Sequence, residues 1–292
     1  MKKSDRNALV ALPVVVVIAA LFALAGSQHG STVGGLPVFA LCVILAFAIQ
    51  WAAFVPAYLL QTERFFDITG GLTYITVAVV ALLLSDAPDA RAWLLAAMVV
   101  IWAVRLSSYL FLRIRKAGAD KRFDAIKPSW PRFLNTWTLQ GLWVTITASA
   151  ALAAITSTAR VGLGTVTAIG LLLWVAGLAV EATADGQKSR FRADPANRGN
   201  FIRTGLWSWS RHPNYFGEIL LWIGVAVVAL PALRGWQWVT LLSPVFVALL
   251  LLRVSGVPML EKAADEKWGG RDDYEAYKRR TSVLVPRPPR KS

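Results

Sequence analysis

The sequence predicts an all-α fold, a polytopic bundle of about eight transmembrane helices with both termini in the cytoplasm. Of the 292 residues, 56% are hydrophobic, and the mean hydropathy is +0.51. This apolar fraction is too high for a soluble domain built around one core. A spanning helix needs about 20 mostly apolar residues, and runs of this kind recur along the chain. We therefore expect an integral membrane protein.

Eight apolar runs are predicted to span the membrane: 8–26, 37–60, 70–85, 92–112, 137–158, 161–182, 216–233 and 236–255. The third and seventh are short, so a tilted or re-entrant segment is an alternative there. The first resembles a signal peptide, but no convincing small-residue cleavage site follows it, which favours a retained anchor helix. Without a long linker or repeat, the chain is expected to be one structural domain, with anchor helices over 1–60 and the catalytic region and basic tail over 61–292.

Lysine and arginine positions predict the orientation, because cytoplasmic loops carry the excess of these residues. The cations of the two most basic loops are Arg113, Arg115, Lys116, Lys121, Arg122, Lys127 and Arg132, and then Lys188, Arg190, Arg192, Arg198, Arg203 and Arg211. The tail from Lys262 to Lys291 is also basic. An even number of spans with cytoplasmic termini satisfies this pattern. It predicts that a functional site near the basic loops opens to the cytoplasm.

Several function classes are disfavoured. The net charge of +14 is explained by basic loops beside anionic membrane lipids, so no nucleic-acid partner is expected. Cys42 is the only cysteine, and His29 and His212 are the only histidines, so no metal site is expected. The glycine pattern that starts at Gly162 has Thr167 in place of the third glycine, which argues against a Rossmann domain. Walker, G-x-S-x-G and H-E-x-x-H motifs are absent from the sequence.

Ionisable groups at membrane depth are costly and mark functional sites. Arg105 and Tyr109 are four residues apart within the fourth run, so they should share one helix face. The alternative is that Arg105 reaches the lipid headgroups while Tyr109 joins the interfacial aromatic belt.

A second group follows the sixth run, in EATADGQKSRFR. Glu181, Asp185, Lys188 and Arg192 recur at helical spacing, which predicts one helix face with carboxylates for ribose hydroxyls and cations for phosphates. The alternative is a solvated, salt-bridged helix end, which would not require Glu181 so close to lipid.

A third group is the stretch LWSWSRHPNYFGEILLWIG. Proline is best tolerated in the first turn of a helix, so the seventh helix should begin near Pro213. Unpaired N–H groups and the helix dipole would then lie beside Arg211 and His212, an arrangement that binds anions. Asn214 and Glu218, one turn apart, would face the same pocket. A plain interfacial cap is the alternative.

These segments resemble the steroid 5α-reductase-like membrane family, in its bacterial branch, which implies a location in the bacterial inner (plasma) membrane. The resemblance rests on GLWSWSRHPNYFGEILLWIG, on EATADGQKSRFRADPANRG before it and on YEAYKRRTSVLVP after it, and covers roughly 59–286. Related proteins include NADPH-dependent sterol reductases and isoprenylcysteine carboxyl methyltransferases, which use S-adenosylmethionine. The resemblance is specific for the superfamily and weak for the reaction.

The resemblance implies roles for individual residues. The implied cofactor pocket consists of Asp185, Arg190 or Arg192, Asn214, Glu218, Tyr277 and Arg280, to which the helix start adds Arg211 and His212. Tyr109 resembles the tyrosine that polarises an enone carbonyl. Its carboxylate partner would be Glu63 or Asp67, although the surrounding family residues are not reproduced there.

The expected function is therefore NADPH-dependent reduction of a conjugated C=C bond in an apolar, lipid-like substrate that enters from the bilayer. The first alternative is an S-adenosylmethionine-dependent methyltransferase, with Glu218 and Glu261 as acceptors. The second is a lipid-binding membrane protein without catalysis.

Overall fold

Helices make up almost all of the regular structure. The computed structural model describes residues 2–118 and 120–288; Lys291 lies outside the described residues, as do the side chains of Lys116 and Lys121. Within the described part of the chain, eight helical segments are long and apolar enough to cross a membrane. They are α1 (Lys3–Ser27), α2 (Val38–Leu59), α3 (Phe66–Leu84), α4 (Ala90–Ala117), α5 (Trp130–Thr156), α6 (Thr165–Ala193), α7 (Pro213–Ala229) with its following turn, and Gly235–Trp268. The predicted fold class, a polytopic helical bundle, is confirmed.

The third and seventh apolar runs are short in the sequence, but the helical segments that contain them are long enough to span a membrane. Helix α3 begins at Phe66 rather than at residue 70, which gives it 19 residues and a length of about 28 Å. The seventh segment, Pro213–Ala232, has 20 residues. Both lengths match a hydrocarbon core of about 30 Å. The polar residues before Gly70 had concealed the true start of α3.

Residue contacts divide the chain into two compact units. Unit 1 consists of Met1–Thr167 and Ala226–Ser243, and unit 2 of Ala168–Val225 and Pro244–Ser292. Unit 1 therefore contains α1 to α5, and unit 2 contains most of α6 and α7 together with the C-terminal helices. The predicted boundary at residue 60 stays a prediction.

Helix α5 is the central element of unit 1 and contacts α1, α2, α3 and α4. Every residue from Val144 to Thr156 is buried, and most are alanine, serine or threonine. Such small residues allow helices to approach closely within a membrane. Helix α1, in contrast, exposes large apolar side chains such as Leu24, which is 73% exposed. The exposed face of α1 therefore suits contact with lipid.

One end of unit 1 carries a short antiparallel hairpin, β1 (Thr32–Val33) and β2 (Leu36–Pro37). This end, named the hairpin end, comprises the loops 28–37, 85–89 and 157–164 and the segment 230–237. Its loops are joined by hydrogen bonds, including Thr158 N to His29 O at 2.9 Å and Asp86 N to Ser31 Oγ at 3.0 Å. The contacts agree with the alternation of spans predicted from sequence.

The other end, named the basic end, comprises the N-terminal residues and the loops 60–65 and 118–129. Arg64 Nε donates to Gly118 O at 3.1 Å, and Ser129 Oγ donates to Asp5 Oδ1 at 2.8 Å. These bonds place the N-terminus with the two loops that sequence analysis assigned to the same side of the membrane.

Arg91 lies buried at the hairpin end, with 2% of its surface exposed. Its Nη1 donates to Val228 O at 2.6 Å, and its Nη2 donates to Gly162 O at 2.8 Å and to Val161 O at 3.3 Å. One guanidinium therefore donates to backbone carbonyls of two separate segments, 161–162 and residue 228. Arginine suits this role because its planar guanidinium carries several N–H donors in a fixed arrangement.

Glycines allow α6 and α7 to pack closely within unit 2. A Cβ on Gly177 would lie 2.6 Å from Gly217 O, and a Cβ on Gly224 would lie 2.6 Å from Gly170 O. Gly170 and Gly177 are seven residues apart on α6, as are Gly217 and Gly224 on α7, so each helix presents a repeated small-residue face. Helix α7 begins at Pro213, as predicted.

The last membrane segment is less regular than its apolar sequence indicates. It consists of a 3-10 stretch (Gly235–Leu242), α8 (Ser243–Leu249), a π-helical turn (Leu250–Val254) and α9 (Val257–Trp268). A Cβ on Gly256 would lie 2.3 Å from Leu251 O, so glycine is required at the break. The chain then forms α10 (Asp272–Arg280).

Candidate functional site

The first group of predicted site residues lies in unit 1, on one face of α4. The Arg105 guanidinium carbon is 5.7 Å from the centre of the Tyr109 ring, as their spacing predicts. Arg113 follows Tyr109 by one turn, and its Nη2 lies 3.7 Å from Asp67 Oδ2 in the first turn of α3. Arg105, Tyr109 and Arg113 therefore follow one another at one-turn spacing along α4, and Arg113 contacts Asp67.

Glu63, the other candidate carboxylate, has both oxygens engaged. Oε1 accepts a hydrogen bond from Asp120 N at 2.8 Å, and Oε2 lies 2.6 Å from Lys127 Nζ. Burial alone would raise the pKa of Glu63, but the bonds from Lys127 and the Asp120 amide dominate and hold it below its ordinary value. Glu63 therefore connects the two loops of the basic end. It also lines a cavity of about 320 Å³, together with Arg64 and Lys127.

Two glycines bring α4 and α5 against α3 next to Asp67. A Cβ on Gly71 would overlap Ser107 of α4, and a Cβ on Gly70 would lie 2.5 Å from Gln140 Nε2 of α5. Gln140 Nε2 also donates to Phe66 O at 3.2 Å. The start of α3 is thus enclosed by both neighbouring helices, and Asp67 lies in this enclosed turn.

The second group lies in unit 2, along α6. Glu181 is 2% exposed and Asp185 is 4% exposed, so both carboxylates are buried, as a site would require. Lys188 Nζ lies 4.3 Å from the centre of the Trp207 ring. Arg190 and Arg192 are exposed at the end of the helix. The buried face therefore includes Glu181 and Asp185, and the arginines remain accessible at its end.

The loop before α7 is fastened to α6 and to the C-terminal segment. Trp207 Nε1 donates to Ala184 O at 3.0 Å, and Tyr277 Oη donates to Trp207 O at 2.7 Å. Burial raises the pKa of Tyr277, so its phenol stays protonated and can keep this bond. Tyr277 thus anchors α10 on the loop, whereas Arg280 is exposed as the last residue of α10.

Arg211 and His212 share one carboxylate, that of Glu261 on α9. Arg211 Nη1 is 2.7 Å from Glu261 Oε2, and His212 Nε2 is 2.7 Å from Glu261 Oε1. Burial lowers the pKa of His212 despite the opposing effect of Glu261, so the ring is neutral at pH 7 and donates through Nε2. Sequence analysis assigned Glu261 only to the methyltransferase alternative, because nothing in the spacing indicates a contact across 49 positions.

Three buried polar atoms in this cluster have no hydrogen-bond partner among the described residues. They are Arg211 Nε, His212 Nδ1 and Asn214 Oδ1. Glu218, one turn after Asn214, is 9% exposed. Most buried polar atoms in proteins are paired, so such a group at one helix start calls for an explanation. The arrangement offers one donor and two acceptors to a bound molecule.

Comparisons with known proteins support a distant relation to steroid reductases. A 72-residue segment is 32% identical to Steroid 5-alpha-reductase DET2 of Arabidopsis thaliana, and this match covers 24% of the chain and 24% of that protein. No solved structure matches the chain. The model of one protein family matches residues 53–281, which are most of the chain and contain both groups of site residues. The chain therefore belongs to the family described as Protein of unknown function (DUF1295).

Proposed function

We propose that this protein is a membrane-embedded reductase that uses NADPH to reduce a conjugated C=C bond in an apolar, lipid-like substrate. The observation that carries the proposal is the buried polar cluster at the start of α7, in which Arg211, His212 and Asn214 each leave an atom unpaired among the described residues. The distant relation to a steroid 5-alpha-reductase supports the reaction class.

The chemistry of the unit 2 residues fits NADPH. Asp185, Glu218 and the unpaired acceptors of His212 and Asn214 suit ribose hydroxyls and the carboxamide. Exposed arginines suit its phosphates, because guanidinium binds phosphate oxygens through two parallel bonds. These are Arg190, Arg192 and Arg280. Arg211 offers its unpaired Nε as a further donor. Tyr277 holds the loop before α7 in place through its bond to Trp207 O.

The unit 1 residues supply the groups that an enone requires. NADPH, when bound, supplies a hydride for the β-carbon, and water supplies the proton for the α-carbon. Tyr109 donates a hydrogen bond to the carbonyl oxygen, where negative charge develops, which contributes about 3 kcal/mol. Arg105 and Arg113 lie one turn on either side and favour that charge. We assign Asp67 rather than Glu63 as the carboxylate, because both Glu63 oxygens are engaged.

The proposal includes the membrane setting. The basic loops favour a cytoplasmic site in a bacterial inner membrane and contact with anionic lipids, as cytoplasmic loops carry excess lysine and arginine. The apolar substrate would enter from the bilayer, where it is concentrated.

A thermal-shift titration of purified protein tests the cofactor. Ligand at a hundredfold excess over its Kd stabilises the native state by about 2.7 kcal/mol, which raises the melting temperature by about 5 °C or more. We expect this shift with NADPH, and its loss in Asn214→Ala and Glu218→Ala. Lys262→Ala is the control, because that side chain is 80% exposed and next to Glu261. Stabilisation by S-adenosylmethionine alone would establish the methyltransferase alternative, and stabilisation by neither would favour a non-catalytic protein.

Turnover tests the role of Tyr109. Tyr109→Phe removes one hydrogen-bond donor, so kcat should fall by about a hundredfold with an enone substrate, while the NADPH thermal shift stays unchanged. Equal kcat in the two proteins would remove Tyr109 from the mechanism.

A further inference from the structure

Two glutamines inside unit 1 are only half satisfied. Gln50 of α2 is 0% exposed, and its Nε2 donates to Thr73 Oγ1 at 2.8 Å. The Thr73 hydroxyl donates its only hydrogen to Thr69 O at 2.7 Å, so Gln50 must present its NH₂ group to Thr73. The orientation of the amide is therefore fixed. Gln50 Oε1 is left buried, with no donor among the described residues.

Gln140 of α5 is only half-buried as a residue, but it also has a fixed amide and an unpaired oxygen. Its Nε2 donates to Phe66 O at 3.2 Å, and a carbonyl oxygen can only accept, so this amide is also fixed in orientation. Gln140 Oε1 is buried and has no donor within residues 2–118 and 120–288. Each glutamine thus has a buried oxygen that accepts no hydrogen bond from the described residues.

The side-chain amides of Gln140 and Gln50 contact neighbouring turns of α3. Gln140 packs at Gly70 and Gln50 binds Thr73, three residues later, and side chains at this spacing lie on the same side of a helix. Asp67 precedes Gly70 by three residues. Gln140 therefore contacts α3 one turn after the proposed Asp67, and Gln50 contacts it about one turn further on.

A third glutamine, Gln237, shows the contrasting state in which every polar atom of the amide is paired. Gln237, at the hairpin end and 0% exposed, donates through Nε2 to Gly26 O at 3.3 Å and to Ala153 O at 3.4 Å. Its Oε1 accepts from Arg234 N at 3.0 Å. The chain can therefore satisfy a buried glutamine completely. An unpaired buried acceptor destabilises the fold, so two of them along one helix, α3, indicate an external donor.

We propose that Gln50 and Gln140 are recognition residues for an apolar ligand with hydroxyl groups, each glutamine oxygen accepting one hydrogen bond from one hydroxyl. The identification of this ligand as substrate rests on the proposed function, and it then narrows the substrate class. The molecule reduced would carry an alcohol in addition to its conjugated C=C bond. The polar group would be held in the α2–α3–α5 interior while the apolar body lies among the helices.

The test uses the full-length protein in lipid nanodiscs without cofactor. The probes are hexanol, decanol and farnesol, each compared with its methyl ether, which keeps the chain and removes the donor. The Kd of each probe is measured by tryptophan fluorescence. Trp137 reports on this region because its ring packs against Phe66. We expect at least one alcohol to bind about tenfold more tightly than its ether, the effect of about one hydrogen bond.

Methionine variants separate recognition from structural support. The double variant with Gln50→Met and Gln140→Met should abolish the preference for alcohol over ether. Each single variant should weaken it and should melt at the same temperature as the wild type or above it. Gln237→Met is the matched control, which should keep the preference. It should melt at a lower temperature because it loses three hydrogen bonds, whereas Gln50→Met and Gln140→Met each lose one bond and also remove an unpaired acceptor.

Three results would overturn the proposal. They are no alcohol preferred over its ether, a preference that survives in the double variant, and a loss of folding or melting temperature in Gln50→Met and Gln140→Met like that of Gln237→Met. The proposed function is tested separately by NADPH. If the protein prefers alcohols but NADPH does not stabilise it, the hydroxyl site stands and the reductase proposal is rejected. If NADPH stabilises the protein but no alcohol is preferred, the cofactor site stands and the hydroxyl site is rejected.

Discussion

The two ends of unit 1 differ in how completely their buried polar groups are hydrogen-bonded. At the hairpin end, Arg91 and Gln237 are buried and their polar atoms bond to backbone groups of several chain segments. Toward the basic end, the start of α3 is flanked by carboxylates, cations and the half-satisfied Gln140. Complete pairing favours stability, whereas unpaired groups are available to a ligand. The hairpin end is therefore the structural end of the unit, and the proposed chemistry belongs to the other.

The largest effect is expected at the hairpin end. Arg91→Met leaves the carbonyls of Val228, Val161 and Gly162 without their donor, so the free energy of unfolding should fall by about 3 kcal/mol. Denaturant or thermal unfolding in detergent measures the change. Arg160→Met, at an exposed arginine of the same end, is the control and should have a much smaller effect. Equal losses in the two variants would contradict the structural role of Arg91.

An intermediate effect is expected at Glu63, the most buried carboxylate of the basic end. Its pKa is lowered in the folded protein, so its contribution is present above the ordinary pKa of 4.5 and is lost as pH falls through the lower folded value. Glu63→Gln should lower the free energy of unfolding at neutral pH by about 2 kcal/mol. It should also flatten the stability profile below about pH 4.5.

Asp124→Asn is the control for Glu63, because Asp124 contacts the same Lys127 but its side chain is 60% exposed. Melting temperatures measured from about pH 7 to about pH 3 give the profile. If Glu63→Gln keeps the acid sensitivity of the wild type, the pair with Lys127 is not its source, and Asp120, whose pKa is lowered by Arg122 despite burial, becomes the candidate.

The smallest effect on stability is expected at Asp67. Its contact with Arg113 is long, at 3.7 Å, and the Arg113 side chain is 40% exposed, so Asp67→Asn should change the free energy of unfolding by less than about 0.5 kcal/mol. Under the proposed mechanism kcat should nevertheless fall by about tenfold or more, since Arg113 would lose its partner beside Tyr109. A stability loss as large as that of Glu63→Gln, with unchanged kcat, would show that Asp67 is structural.

Local patterns allowed much of the fold to be predicted. The apolar runs predict the spanning segments, because burial in lipid requires about 20 apolar residues regardless of what surrounds them. Proline predicts the start of α7, since the cause, a missing N–H, lies within the residue itself. The shared face of Arg105 and Tyr109 follows from helical spacing. The irregular course of the last segment was missed, because its apolar composition concealed the effect of Gly256.

The sequence by itself determined the membrane class, the number and order of the spans and the segments that carry polar residues at their ends, because these depend on composition and on neighbours in the chain. Only the tertiary structure decided how those residues are used. It paired Glu63 with Lys127 across 64 positions and Glu261 with Arg211 and His212. It also left Gln50 and Gln140 half satisfied and Gln237 complete. Hydrogen bonds and ion pairs act over a few ångströms, so the residues that share them are set by which helices pack together.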